Sequence, residues 1–240
     1  MQPRDALRAV QDLASSQWGL LTTPQARGLG VTAAQLARLA EQGALARLQH
    51  GVYAVAGVPF DRHRGLQAAW LSLDPRHSAY ERLLAPELAV VSHASAAALH
   101  GIGNLDADDF EFTVAGRKQS RQADVRIHRG VIPGSDWTQV SGLPVTTPAR
   151  TVSDLAAAGI DGGHLAVAAR DAIFSAGADL QQLSNRLAPF ATKYGAPVGD
   201  GRALVKRLLG EAGIPAAAED LAQDRALDLL RQLTSSVLRP

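Results

Sequence analysis

Between Trp18 and Gly57 the chain reads WGLLTTPQARGLGVTAAQLARLAEQGALARLQHGVYAVAG, and no other stretch restricts the possible folds as much. Thr23 with Pro24 opens a first helix, as an N-cap followed by proline at the first helical position. Gly28 and Gly30 bracket Leu29 and break it. Thr32 caps a second helix that runs to about Gln42 and stops at Gly43. Leu36, Leu39 and Ala40 make the i, i+3, i+4 stripe that packs inward. At ~100° per residue the opposite face carries Ala34, Ala37, Arg38 and Glu41, with Gln35 on its flank. The segments 45–48 and 52–55 read as strands joined by Gln49-His50-Gly51. Helix, turn, helix and two-stranded ribbon, in that order, make the pattern of a winged helix-turn-helix.

The outer face of the second helix is small, and its long polar groups can donate and accept. Small residues let a helix backbone approach the floor of a major groove, and Arg or Gln can read base edges there. Arg47, Gln49 and His50 cluster at the hairpin turn, where a wing touches phosphate or minor groove. The alternative is a helix-turn-helix that serves only to pack.

The remaining chain bounds this reading. At 240 residues it has room for a sizeable core and two units, expected at residues 1–57 and 58–240. Hydrophobic residues are 46% and charged residues 20%, the balance of a globular chain. The net charge is only +1, so a nucleic-acid site has to come from local clustering. Residues 1–57 hold five arginines against two aspartates and a glutamate, a modest +2. The absence of cysteine removes disulfides, thiolate metal sites and cysteine nucleophiles, and a reducing cytosol fits. No apolar run approaches the ~20 residues of a membrane span.

Beyond Gly57 the pattern is α+β, a small sheet beside many helices. Helices are expected over 61–73, 77–84 and from Ser92, as N-cap, to Gly101. Residues 110–116 and 125–130 read as paired strands joined by a basic loop, 117–121. Thr147 and Pro148 open another helix, and further helices follow over about 163–176, 179–189, 201–212 and 216–236.

Three clusters bear on chemistry. His93 and His100 lie seven residues apart in one helix, but a third ligand is missing, and no HExxH or Gly-x-Ser-x-Gly accompanies them. Capping and core hydrogen bonding are the expected roles. Asp106, Asp108, Asp109 and Glu111 precede a strand, as in metal-dependent nucleases, but the basic partner is an arginine two residues after Asp124 or a lysine in a loop. A solvated loop is the default reading, with a metal-dependent nuclease carrying an N-terminal DNA-binding domain as the alternative function. No catalytic residue, metal ligand or cofactor is assigned. Finally, Arg186, Lys193, Arg202, Lys206 and Arg207 stand against Asp200 alone, either as a solvated face or as a second electrostatic footprint.

The sequence resembles the AbiEi-type antitoxins, transcriptional regulators of phage-defence operons. The N-terminal stretch quoted above carries the resemblance, with VVSHASAAALHGIG, FEFTVAGRKQSRQADVRIHRG and VSGLPVTTPARTVSDLAAAG after it, over roughly residues 7–180. The resemblance implies a non-enzymatic cytoplasmic antitoxin of an abortive-infection system. It also implies that the chain represses its own operon at an inverted-repeat operator in double-stranded DNA and counteracts a cognate nucleotidyltransferase-like toxin. By position, Thr23, Thr32, Ala33, Ala34, Gln35 and Arg38 are then the helix contacts to DNA, and Arg47, Gln49 and His50 the wing contacts.

Overall fold

The structure, a computed structural model, describes residues 2–59, 61–84, 89–120 and 122–214. The helix expected over 216–236 lies outside the described residues. Contacts divide the chain into two compact units, residues 1–89 with 114–129 and residues 90–113 with 130 onward. Helix and strand are mixed throughout, the α+β class expected.

The first unit begins with α1 (Pro3–Ser15), which buries Ala6, Val10 and Ala14. Trp18 and Gly19, both at positive φ, reverse the chain into β1 (Leu20–Thr22). A Cβ on Gly19 would sit 2.6 Å from the Val58 side chain, so both its φ of +74° and its surroundings call for glycine. Next comes α2 (Thr23–Gly28), whose N-cap is Thr22 rather than the expected Thr23. The Gln25 N–H donates to Thr22 Oγ1 at 3.3 Å, and the Thr22 N–H donates to Gln25 Oε1 at 2.9 Å. This reciprocal pair needs Gln or Glu three residues past the cap, and three past Thr23 stands Ala26.

The second helix, α3 (Ala33–Glu41), has the expected cap, with Thr32 and Gln35 in the same reciprocal arrangement. Leu36 and Leu39 are buried and Ala40 is half-buried. Gly43, at φ +72°, turns the chain into β2 (Leu45–Gln49) and β3 (Val52–Val55). These strands and β1 form an antiparallel sheet in the order β1-β3-β2. The order α1-β1-α2-α3-β2-β3 is that of a winged helix.

Two more helices, α4 (Arg64–Leu73) and α5 (Ala79–Leu83), belong to this unit. The sheet packs against α4. Trp70 is fully buried, edge-on to Trp18 with ring centroids 6.0 Å apart, and its Nε1 donates to the Ala89 carbonyl at 2.7 Å. Arg82 is also buried, its guanidinium 3.6 Å from the Trp70 ring centroid and donating to the Trp70 carbonyl. Burial pulls its pKa down to about 10, although Asp74 opposes the shift. Residues 75–79 are pinned to the helix-turn-helix by polar bonds. Thr22 Oγ1 donates to the Pro75 carbonyl, Gln25 Nε2 donates to the His77 carbonyl at 2.8 Å, and the Ala79 N–H donates to Gln17 Oε1 at 3.2 Å.

In the second unit β4 (Val90–Val91) leads into α6 (His93–His100), which ends at Gly101 with φ +67°. Strand β5 (Phe110–Val114) follows; β6 (Val125–Arg129) comes next in the chain and groups with the first unit. Then come β7 (Trp137–Val140) and β8 (Leu143–Thr146). Strands β5, β4, β8 and β7 lie side by side in that order. Only the β4–β8 pair among them is parallel. The helices α7 (Pro148–Ala158), α8 (Gly162–Phe174), α9 (Leu180–Leu187) and α10 (Gly201–Glu211) close on a core that includes Leu155, Leu165, Leu183, Leu187 and Leu204. Thr147 caps α7 as expected, accepting from the Arg150 N–H at 3.4 Å.

Ser92 stands at the N-cap of α6 but makes no side-chain cap bond; its Oγ instead accepts from Thr113 Oγ1 at 2.8 Å and lies 2.9 Å from His93 Nδ1. His100 Nε2 donates to the Thr146 carbonyl at 2.7 Å, and burial holds the ring pKa below the ordinary histidine value against that bond. Each of the two histidines thus makes a polar contact within the second unit.

Candidate nucleic-acid interface

A groove of about 510 Å³ runs between the start of α2, the start of α3 and the β2–β3 hairpin. Arg27, Arg47 and His50 line it with Thr23, Ala33, Tyr53 and Ser72, and no carboxylate is among its lining residues. Arg27 comes from the exposed end of α2 and the other two basic residues from the hairpin. The groove thus has basic groups on two sides and a small residue, Ala33, at the start of the helix beside it. A polyanion fits such a surface because each phosphate can be met without displacing a fixed acid.

The hairpin tip differs from the regular turn expected. Pairing of β2 with β3 shifts register between Arg47 and Gln49, leaving Leu48 as an extra residue. A bulge of this kind breaks the strict alternation of faces along a strand. Arg47 Nη2 approaches His50 Nδ1 at 3.2 Å on the groove side. Gln49 turns the other way, and its Nε2 donates to the Ala68 carbonyl at 2.9 Å. Gln49 thus ties the hairpin to α4, while Arg47 and His50 carry the tip.

On α3 the structure exposes Ala33, Ala34, Ala37, Arg38 and Glu41 together. Gln35 is half-buried, and its Oε1 accepts from the Thr32 N–H at 2.9 Å and from Thr32 Oγ1 at 3.1 Å. Thr32 and Gln35 are therefore engaged with each other in the capping box, and Arg38 is the basic side chain projecting from the outer face, with Glu41 beside it. Thr23 lines the groove and its Oγ1 donates to the Gly51 carbonyl at 3.4 Å. Arg27, in sequence only a part of this segment's charge, joins the site through its place beside buried Gln25 and Ala26, on the exposed side of α2.

The C-terminal basic residues differ in what they touch. Arg186 pairs with the buried Asp136. Lys193 Nζ donates to the Ala156 carbonyl at 3.2 Å, and Arg207 Nη1 to the Gly195 carbonyl at 3.0 Å. Arg202 and Lys206 are exposed on α10. Of the five, Arg186 is half-buried, while Lys193, Arg202, Lys206 and Arg207 are exposed on the second unit. In sequence Asp200 alone opposed them; in three dimensions Asp136, fifty residues away, takes Arg186.

Charge also separates by unit. Residues 1–89 carry nine Lys and Arg against seven Asp and Glu, and 114–129 carry five against Asp124 alone, so the first unit stands at +6. The second holds ten basic against fifteen acidic residues, or −5. The net +1 conceals this division. The acidic residues before β5 scatter: Asp106 and Asp108 are exposed, Asp109 is half-buried, and Glu111 is buried in the strand itself.

A winged helix whose groove is lined by basic and small residues defines the class as the DNA-binding regulators of winged helix-turn-helix type. Family models give the particular member of that class. Residues 8–56 match the transcriptional regulator, AbiEi antitoxin, and residues 89–190 match the AbiEi antitoxin C-terminal domain. The chain belongs to the AbiEi antitoxin family, whose members are regulators rather than enzymes. No curated protein matches the chain. Among the described residues no helix is long and apolar enough to cross a membrane.

Proposed function

We propose that this chain is an antitoxin that represses its own operon. It seats α3 in the major groove of an inverted-repeat operator and lays the β2–β3 hairpin along the phosphate backbone. Residues 1–57 hold the DNA-reading elements, and residues 58–240 carry the part that counteracts a cognate nucleotidyltransferase-like toxin in the cytoplasm. The groove bounded by Arg27, Arg47 and His50 at the start of α3 is the observation that carries this reading. Family membership supports the antitoxin and regulator roles. Arg38 is the candidate for base readout, because a planar guanidinium on an exposed, alanine-lined helix face can reach guanine O6 and N7 together.

The test is titration of the full-length protein against duplex DNA from upstream of its own gene. Arg38→Ala should weaken binding to that duplex by ~1–3 kcal/mol and relax one operator position, with little change on unrelated duplex. Equal binding of the upstream and unrelated duplexes by the wild type would remove the operator reading.

A further inference from the structure

The winged helix has little charge of its own. Residues 1–57 reach only +2, and the cations near the C-terminus lie in the acidic unit, several of them tied down. A protein that neutralises few phosphates binds duplex weakly, since affinity is set by the counterions released per contact. The first unit obtains its remaining charge from 114–129, which group with residues 1–89 although 24 residues of sequence separate the two segments.

A second groove, of about 490 Å³, shows where this segment lies. Gln119, Ser120 and Gln122 line it together with His50, Ser72 and Leu73. His50 and Ser72 line the first groove as well, so the two surfaces adjoin at the tip of the wing. No carboxylate is among the residues lining either one. Arg117 is exposed, and Lys118 lies within electrostatic reach of Asp74, which also contacts His77 at 2.9 Å. In sequence the loop has Arg117, Lys118 and Arg121 against Asp124.

We infer that the loop between β5 and β6, through residues 115–120 and 122–124, is a second arm of the DNA-binding surface that holds the phosphodiester backbone beside the wing. This rests on the DNA-binding reading above and names a further contact of the same partner. The loop offers side-chain amides, a hydroxyl and cations, which suit phosphate oxygens, and it carries no sequence code. Its part is therefore to extend the footprint past the base pairs that α3 reads.

The experiment uses full-length protein and a 30-base-pair duplex of arbitrary sequence, so that only backbone contacts are measured. Affinity is followed by fluorescence anisotropy from 50 to 300 mM KCl. Arg117→Ala/Lys118→Ala should flatten the plot of log affinity against log salt by about one to two units, at about 0.9 per lost phosphate contact. The spread reflects Asp74, which offsets part of the Lys118 charge. At about 0.15 M salt that slope change corresponds to roughly 5-fold to 30-fold weaker binding. Arg117→Lys/Lys118→Arg should restore the wild-type slope. Arg47→Ala, a wing control, should flatten it by about one unit. If Arg47→Ala flattens the slope and the loop variant does not, the loop lies off the DNA and the winged-helix reading stands. Weaker binding with an unchanged slope marks a conformational effect and overturns the proposal as well. A wild type that fails to bind duplex at all overturns the DNA-binding reading and the loop with it.

Discussion

At the scale of single residues the second unit is held by a buried set of charges that the sequence scatters over fifty positions. Arg150 Nη1 lies 3.1 Å from Asp136 Oδ2 and its Nε lies 2.7 Å from Asp154 Oδ1, while Arg186 takes the other oxygen of Asp136. Asp136 has a side chain only 7% exposed. Burial pushes its pKa up, but the hydrogen bonds and charges of Arg186 and Arg150 outweigh burial and hold it below the ordinary 3.8. Burial likewise lowers the Arg150 pKa, and Asp154 and Asp136 overcome it and raise it. Removing one partner from such a set leaves the others desolvated and unpaired. Asp136→Asn should therefore cost roughly 2–3 kcal/mol, read as a fall in melting temperature at pH 7. The pH dependence follows from the sign of the shift. A carboxylate with a depressed folded pKa adds stability that is complete above its unfolded value and is lost as pH falls through the folded one. Wild-type stability should thus drop on acidification below about pH 4, and Asp136→Asn should drop less over that window. Parallel melting curves for the two proteins between pH 3 and pH 7 would show that Asp136 is not the group responsible.

At the scale of elements, Gly201 at the start of α10 has the least room for a Cβ of the glycines among the described residues. A Cβ on Gly201 would lie 1.8 Å from the Ser184 carbonyl oxygen and 2.8 Å from the Ala188 nitrogen, so α10 meets the end of α9 with no room for a side chain. Backbone cannot yield as a flexible side chain does, and Gly201→Ala should destabilise by about 3 kcal/mol or more. Gly210, in the same helix, is exposed and would place its Cβ in open space, so Gly210→Ala should stabilise by about 0.5–1 kcal/mol. Opposite shifts in thermal melts test the pair together; a neutral Gly201→Ala would mean that α9 and α10 are further apart than described. This contrast marks what the sequence could and could not convey. Local rules carried far: Thr32 and Thr147 as caps, the stops at Gly43 and Gly101, and the Leu36–Leu39 stripe all follow from neighbours within four residues. Where two local rules competed, the weaker cue misled. Thr23 before Pro24 looked like a cap, but Gln25 completes a reciprocal pair with Thr22 alone. Contacts made at a distance left no local trace. The bulge at Arg47 that sends Gln49 to Ala68, the Asp136–Arg186 pair and the Gly201 contact each depend on residues 13 or more positions away.

At the scale of the whole molecule the division of charge suggests a division of labour. A unit at +6 draws a polyanion, whereas a unit at −5 opposes one, so the proposed backbone contacts fit the first and a non-nucleic partner suits the second. The division was hidden in sequence because residues 114–129 contribute +4 to the first unit from within a stretch otherwise assigned to the second. Within the second unit Arg202 and Lys206 lie exposed on α10, whereas Arg186 pairs with the buried Asp136, so changes at the first two should cost less stability than a change at Arg186. Arg202→Ala/Lys206→Ala should melt within about 0.5 kcal/mol of wild type. If these two side chains face the toxin, that variant should still repress a reporter driven by the chain's own promoter but fail to rescue growth from the toxin. Arg38→Ala/Arg47→Ala should do the reverse, derepressing the reporter while rescuing growth, provided both proteins are supplied from an inducible promoter so that loss of repression does not change their dose. Full rescue by the α10 variant would return Arg202 and Lys206 to the solvated surface. Loss of rescue by the α3 and wing variant, at normal melting temperature and equal abundance, would show that the DNA-reading elements also serve neutralisation, and the division of labour would fall.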